Sequence, residues 1–346
     1  MGLVSLLRKS CRKSLFTTPS HSQEYFIFHK LRNLYKYDIS ETECHNPEQA
    51  LEEAELETTK IYGTKTTKFL TNGSSSGIIA SVLACVKTGE KVLLWRDAHS
   101  CHHNAVKLAG AVPVYYDLKI NDEWDVPEQT TPEILEQYLK NNNISAVIIT
   151  SPSYEGIVSP IQDIKELCQK YGVYLIVDEA HGALYPFSDK LPQSAVNIAD
   201  FTVQSLHKTA GGLNPTALVH TNSDCDLNSA LKLISTTSPS YPILASIEAN
   251  IKFLNSKRGR KKIETLISDI ENLKKECQNC RFFGDDITKI LVKVPNMSGF
   301  ELSKRLYDRY NIEDEKTNEK STMLLTGIGT SKQKLIRLKN ALKHIC

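Results

Sequence analysis

The 346-residue sequence has no apolar run approaching the roughly 20 residues that a bilayer-spanning helix needs. Its opening stretch, MGLVSLLRKSCRKSLF, combines basic residues with an apolar patch too short for a signal-peptide core, and Leu6 stands where the myristoylation pattern wants serine or threonine. A first helix of a folded domain suits this stretch better than a transit peptide. An excess of charge of one sign is also lacking: 42 Lys and Arg face 40 Asp and Glu, and nothing gathers into a basic stripe. Nucleic acid and anionic membranes are therefore poor partners. The one basic run, SKRGRKK at 256–262, reads as a solvated junction between helices. Nine cysteines, odd in number and scattered, make no disulfide framework, which points to reduced thiols and a cytoplasmic setting. Cys277 and Cys280 form a CxxC with no second pair to complete four zinc ligands, so no metal is expected. A Walker loop, a GxGxxG fingerprint, internal repeats and low-complexity segments are all missing.

What is present is alternation. NPEQALEEAELETTKIYG, from residue 47, predicts a helix with proline in its first turn and Gly63 just past its end. TKFLTNGSSSGIIASVLACVKTGE predicts strand, tight turn and a helix ending at Gly89. The runs KVLLW, VPVYYD, SAVIIT and VYLIVDEA then alternate with helical stretches. Strands that are apolar throughout argue an α/β domain with a mostly parallel sheet covered on both faces. Beyond the helix-rich stretch that follows, ITKILVKV, GFELSKRLYDRY, STMLLTGIG and KQKLIRLKNALKHI predict strand, helix, strand, helix. The expected organisation is an N-terminal segment (1–46), a large domain (47–256) and a small α/β domain (257–346).

Four constellations carry chemistry. In TNGSSSG (71–77) the amides of a helix N-terminus, with Ser74, Ser75 and Ser76, suit a phosphate dianion; a plain serine N-cap reads equally well. In YLIVDEAHGA a strand ends in Asp178, with His181 close behind, where open sheets bind ligands; Asp178 could pair a protonated ring nitrogen, cap the next helix or bridge to a nearby base. In QSLHKTAGG, Ser205 and His207 offer further phosphate donors and Lys208 an amine, although alone Lys208 reads as a surface charge. In WRDAHSCHHNAV, His99 could stack on a flat ring; His102 and His103 add polar neighbours, and a metal reading suffers from the want of a nearby acidic or cysteine partner. Together these describe one cofactor, pyridoxal 5'-phosphate.

The segments FLTNGSSSG, RDAHSCHHNAV, ITSPSYEGIVSP, VDEAHGA, VQSLHKT and STTSPSYPILASIE resemble, in order and spacing, the Orn/Lys/Arg decarboxylase family with the aspartate aminotransferase-like fold. That resemblance implies a PLP-dependent transferase large domain, with Lys208 as the Schiff-base lysine, Asp178 on the pyridine nitrogen and His99 stacked over the ring. It places Ser75, Ser76, Ser205 and His207 on the phosphate, Ser74 close by, and His181 beside Asp178. Decarboxylation of a basic amino acid (arginine, lysine or ornithine) by a homodimer is the implied activity; other PLP chemistry, such as transamination or elimination, and a non-catalytic PLP-binding paralogue are the alternatives.

The sequence also departs from the family. The PGHK-like element corresponds to TTPSHSQ, which keeps His21 but has Ser20 and Ser22 for glycine and lysine; most of the GLDDLH-type segment is skipped in ISETECHNPEQ. The family's C-terminal domain, with its YPPGIP-like segment, has no counterpart in the sequence. Leu184 replaces a common histidine, and Gly211 and Gly212 are expected to loosen the loop after the lysine. A cationic substrate group would need an acidic partner. Glu155 is a candidate, although a carboxylate in an exposed turn is the plainer reading. An aminotransferase would want a carboxylate clamp, for which Arg281 and Arg337 are available.

Overall fold

The computed structural model describes residues 14–16 and 47–345. His21 and its neighbours in TTPSHSQ, the stretch ISETECH and most of the segment 1–46 therefore lie outside the described residues.

After the short strand β1 (Ser14–Leu15), helix α1 (Pro47–Tyr62) opens on a proline, whose missing amide costs nothing there. It carries Glu48 in its first turn and Lys60 in its last, as the helix dipole favours, and Gly63 closes it at φ +70°. Strand β2 (Thr66–Leu70) runs through a turn into α2 (Ser74–Cys85). That helix stops four residues before Gly89, because Val86 goes extended and buries its side chain; Gly89 serves the next turn at φ +84°. There follow β3 (Lys91–Trp95), α3 (Ser100–Leu108), β4 (Val112–Tyr116) and the antiparallel pair β5 (Ile120–Asn121) and β6 (Val126–Pro127). Next come α4 (Pro132–Leu139), β7 (Ile144–Thr150), α5 (Ile161–Tyr171), β8 (Tyr174–Asp178), β9 (Phe201–Ser205) and β10 (Ala217–Thr221).

Seven of these strands form one sheet in the order β2-β10-β9-β8-β7-β3-β4. The run from β9 to β4 is parallel throughout, while β10 is antiparallel to both its neighbours. Alternate residues of the strands feed opposite faces, as a pleated strand requires. Val92, Leu94, Ala146, Ile148 and Ile176 join a core beneath α2 and α3. Leu93, Val147, Ile149, Leu175 and Val177 join another beneath α4 and α5. Burial on both faces is why these strands read as continuous apolar runs.

Helices α6 (Leu227–Ile234), α7 (Tyr241–Asn255) and α8 (Lys257–Glu276) lead to a second, antiparallel sheet. Its strands are β11 (Arg281–Phe283), β12 (Lys289–Lys293), β14 (Lys316–Thr317) and β15 (Thr322–Leu325), in the order β11-β12-β15-β14. Helices α9 (Gly299–Tyr310) and α10 (Lys332–Ile345) pack on it, and β13 (Ile312–Glu313) pairs in parallel with β1, placing Phe16 in the same core. The basic run 256–262 sits at the α7–α8 corner: Ser256 accepts a hydrogen bond from the Gly259 amide at 3.0 Å, and Lys257, Arg258, Arg260 and Lys261 are exposed. Glycine is required at 259, since a Cβ there would lie 2.0 Å from the Phe253 carbonyl oxygen. The expected boundary at 256–257 falls on this corner, yet α8 serves both parts. Ile263 and Ile267 pack with Tyr62, Phe69 and Leu184, while Leu266, Ile270 and Leu273 pack with the second sheet.

Candidate active site

A cavity of about 710 Å³ opens at the carboxyl ends of β3, β7, β8 and β9, bounded also by the turn after β2 and by Lys316 of β14. That is where a parallel sheet presents the loops that bind ligands.

The turn after β2 depends on Gly73, whose φ of +85° suits a residue without Cβ. As N-cap of α2 it provides no side-chain acceptor, so the first-turn amides receive no side-chain cap. Ser74 and Ser75 line the cavity. Ser76 does not; its hydroxyl donates to the Gly73 carbonyl at 2.7 Å and tightens the turn.

Asp178 ends β8 at the cavity wall, buried to 5% exposure. Burial opposes its charge, but the hydrogen bond and charge of His102, the charge of Lys208 and the Ala180 amide outweigh that and hold its carboxyl below the ordinary range. The imidazole of His102 donates from Nε2 to Asp178 Oδ2 at 2.9 Å, and the Ala180 amide donates to Oδ1 at 3.1 Å. This overturns the expectation that the histidines of WRDAHSCHHNAV have no nearby acidic or cysteine partner. His102, fully buried in the first turn of α3, is a partner of Asp178 that the sequence reading left as a polar neighbour. The ligand atoms of Cys101, His102 and Asp178 lie within 4.8 Å of one another, and His99 Nδ1 is 3.0 Å from Cys101 Sγ. His99 is the N-cap of α3, accepting from the Cys101 amide, with its ring on the cavity.

Beyond β9 the chain winds one π-helical turn, Leu206–Ala210, which carries Lys208 to the cavity. Desolvation lowers the affinity of its amine for a proton, against the opposing charges of Asp178, Cys101 and Glu315. A less basic amine is a better nucleophile at neutral pH. His207 is anchored by Nδ1 on the Thr216 carbonyl at 3.1 Å and also lines the cavity, whereas Ser205 is fully buried behind the wall with its hydroxyl unpartnered among the described residues. The two glycines do not loosen the segment. Gly211 closes the turn at φ +88°, and a Cβ on Gly212 would lie 2.3 Å from Thr216 Oγ1 and 2.8 Å from Leu206 Cβ.

His181 lines the cavity with its ring 4.8 Å from that of Tyr154, centroid to centroid. Burial and nearby Lys208 and Lys289 keep the ring neutral. Its carbonyl accepts from Lys289 Nζ at 2.9 Å. Lys289 is itself fully buried and paired with Asp286 at 2.6 Å, which also accepts from the Tyr185 hydroxyl at 2.8 Å. The sequence offered no sign of this pair, whose lysine lies inside the apolar-looking run ITKILVKV and whose aspartate immediately precedes it. Leu184 is simply core, buried beside Tyr62 and Phe187.

Glu155 corrects the exposed-turn reading: it is 3% exposed, lines the cavity, and binds Lys316 Nζ at 2.5 Å through Oε1 and the Ser153 hydroxyl at 3.2 Å through Oε2. Arg281 and Arg337, the candidate carboxylate clamps, are exposed and lie off the cavity; Arg281 instead pairs with Glu123.

The donor set fits pyridoxal phosphate: a buried carboxylate held ionised by two donors, an amine depressed in basicity across the same cavity, and a helix start whose amides have no side-chain cap. Comparisons with known proteins agree with the fold. The E. coli constitutive lysine decarboxylase superposes with a TM-score of 0.75 at 19% identity, covering 99% of this chain and 56% of that one. A chain described as "SPT with PLP" gives 0.73 at 15% identity, covering 96% and 87%. Among curated sequences, the uncharacterized protein YaaO of Bacillus subtilis is 28% identical over 343 residues, 91% of this chain and 71% of that protein. The arginine decarboxylase of Bacillus subtilis is 27% identical, with 88% of this chain and 66% of the relative covered. The chain thus spans about two thirds of the length of these curated relatives and little more than half of the lysine decarboxylase. The model of the Orn/Lys/Arg decarboxylase major domain matches residues 12–297, most of the sequence, and on that match the chain belongs to the Orn/Lys/Arg decarboxylase family.

Proposed function

We propose that this protein is a PLP-dependent decarboxylase of an amino acid, of the basic class that its relatives' names indicate. The observation that supports it most is the pairing, across one cavity, of an ionised buried Asp178 with the half-buried amine of Lys208.

Asp178 would hold a protonated ring nitrogen, with His102 behind it keeping the carboxylate charged and fixed. The α2 start with Ser74 and Ser75, together with His207, would hold the phosphate, and His99 would cover the ring. Bound pyridoxal phosphate supplies an electron sink for the charge that develops at the substrate α-carbon as carbon dioxide leaves. Lys208, its basicity lowered by desolvation, would accept and return a proton next to that carbon. His181, neutral and enclosed, adds no competing positive charge beside Asp178. Nothing on the cavity wall matches the arginine clamp of an aminotransferase among the described residues.

The test mixes the holoprotein with a panel of amino acids and follows carbon dioxide, amine and keto acid together. Amine with carbon dioxide is the expected result. Keto acid would replace this reading with transamination, and a yellow protein releasing nothing would mark a cofactor-binding paralogue. The Lys208→Ala variant is expected to lose the visible absorption band; an unchanged band would remove Lys208 from its assigned place.

A further inference from the structure

Every buried carboxylate on the cavity wall already has a cation or strong donor. Asp178 has His102, and Glu155 has Lys316. The second pair is unequal. The Glu155 side chain is 5% exposed, whereas that of Lys316 is 51% exposed, so the acid is fixed inside and the ammonium reaches in from the surface. A carboxylate so buried is costly to leave without a partner. A long, half-exposed lysine can return its ammonium to water at little cost.

The pair also stands beside the reacting end of the cavity. Tyr154, whose ring lies 5.3 Å below Lys316 Nζ, meets the His181 ring on one side and donates its hydroxyl to Glu315 at 2.5 Å on the other. Glu315 in turn is among the charges that act on Lys208. The segment 315–316 thus brings one acid toward the reactive lysine and one removable cation onto the acid that faces the cavity.

We propose that Lys316 is a specificity-determining residue: a tethered cation that occupies, on Glu155, the place taken by the distal ammonium or guanidinium of the substrate. This rests on the decarboxylase reading for the identity of the substrate, although not for the exchange itself. A cationic ligand replaces one positive charge by another and keeps Glu155 satisfied throughout. A neutral ligand of the same shape cannot release Lys316 without stranding the carboxylate. Selectivity then comes from what the wrong ligand fails to repair, more than from a new contact made by the right one.

The test is calorimetric titration of the holoprotein with arginine and with citrulline, its neutral isostere, with carbon dioxide release followed in parallel. Lys316→Met is expected to tighten arginine by up to about fivefold, the scale of one partly exposed ion pair, and to leave citrulline unchanged. Glu155→Gln should erase the preference for arginine, and Lys316→Arg, which keeps the cation, should behave as wild type. Melting temperatures with and without cofactor check that each variant is folded. Equal arginine affinity in wild type and Lys316→Met, parallel changes for both ligands, or failure of all variants to bind arginine would overturn the proposal. A shift in arginine preference with no carbon dioxide from any amino acid would sustain the exchange and refute the decarboxylase reading. Carbon dioxide from a neutral amino acid with no such shift would do the reverse.

Discussion

Replacing His102 by leucine, which is close in size and donates no hydrogen bond, isolates what that residue does for Asp178. In the native protein Asp178 Oδ2 accepts from His102 at 2.9 Å and Oδ1 from the Ala180 amide at 3.1 Å, so the substitution removes one of these two donors from a buried charge. A hydrogen bond to a charged group contributes about 1.5–3 kcal/mol, and 1.36 kcal/mol corresponds to one pKa unit. The carboxyl should therefore titrate higher in the variant. The sign follows from linkage. Asp178 is held below its unfolded value of 3.8, so it stabilises the fold above that pH and the contribution is lost as pH falls through the folded value. In His102→Leu that contribution shrinks or reverses, lowering stability at pH 7 by about 1.5–3 kcal/mol. Cofactor affinity should match wild type near pH 8 and fall with acid at a higher pH than in wild type. Titration of the apoprotein with pyridoxal phosphate across pH, followed by visible absorption, measures the second effect, and urea unfolding measures the first. Coincident acid limbs together with equal stability would show that His102 does not maintain the charge of Asp178.

Two further outcomes test the supporting structure. Lys289→Met leaves Asp286 buried without its ammonium and should cost about 3–5 kcal/mol, seen as a lower urea midpoint; a loss under about 1 kcal/mol would mean that Tyr185 and Thr288 satisfy Asp286 alone. Glu179, fully enclosed behind the site, is pushed by burial up to about 8 from 4.5, so the folded state holds a proton that the unfolded state releases and stability declines as pH rises through that window. Glu179→Gln should flatten this part of the stability curve, and an unaltered slope would assign the decline to other groups.

Much of the architecture was legible because the strands are apolar on both faces and the turns carry their own punctuation. TNGSSSG, VDEAHGA and QSLHK each follow a strand, and the parallel sheet then brings Ser74, Asp178 and Lys208 to one rim. What escaped notice was pairing across long separations. His102 meets Asp178, 76 residues away, only because β3, β7 and β8 lie side by side. Glu155 looks like a turn carboxylate until the second sheet supplies Lys316, 161 residues later. A local pair escaped as well: Lys289 sits within a strand that local pattern treats as continuous core, and only the fold turns Asp286, three residues earlier, onto its ammonium. The glycines at 211 and 212 misled for a related reason: permissive residues suggest looseness, but the missing Cβ of Gly212 is what lets Thr216 and Leu206 close in, while Gly211 closes the turn at φ +88°.

Helix α8 has a mechanical consequence. Twenty residues of uninterrupted helix make a rod about 30 Å long, and its side chains are gripped at once by the core shared with α1 and by the core of the second sheet. Such a rod transmits torque instead of absorbing it. Tilting the second sheet against the first would have to pry Ile263 and Ile267 from their sockets, so small rotations are stiff and large ones resemble partial melting. Heat should accordingly dismantle both sheets in a single step.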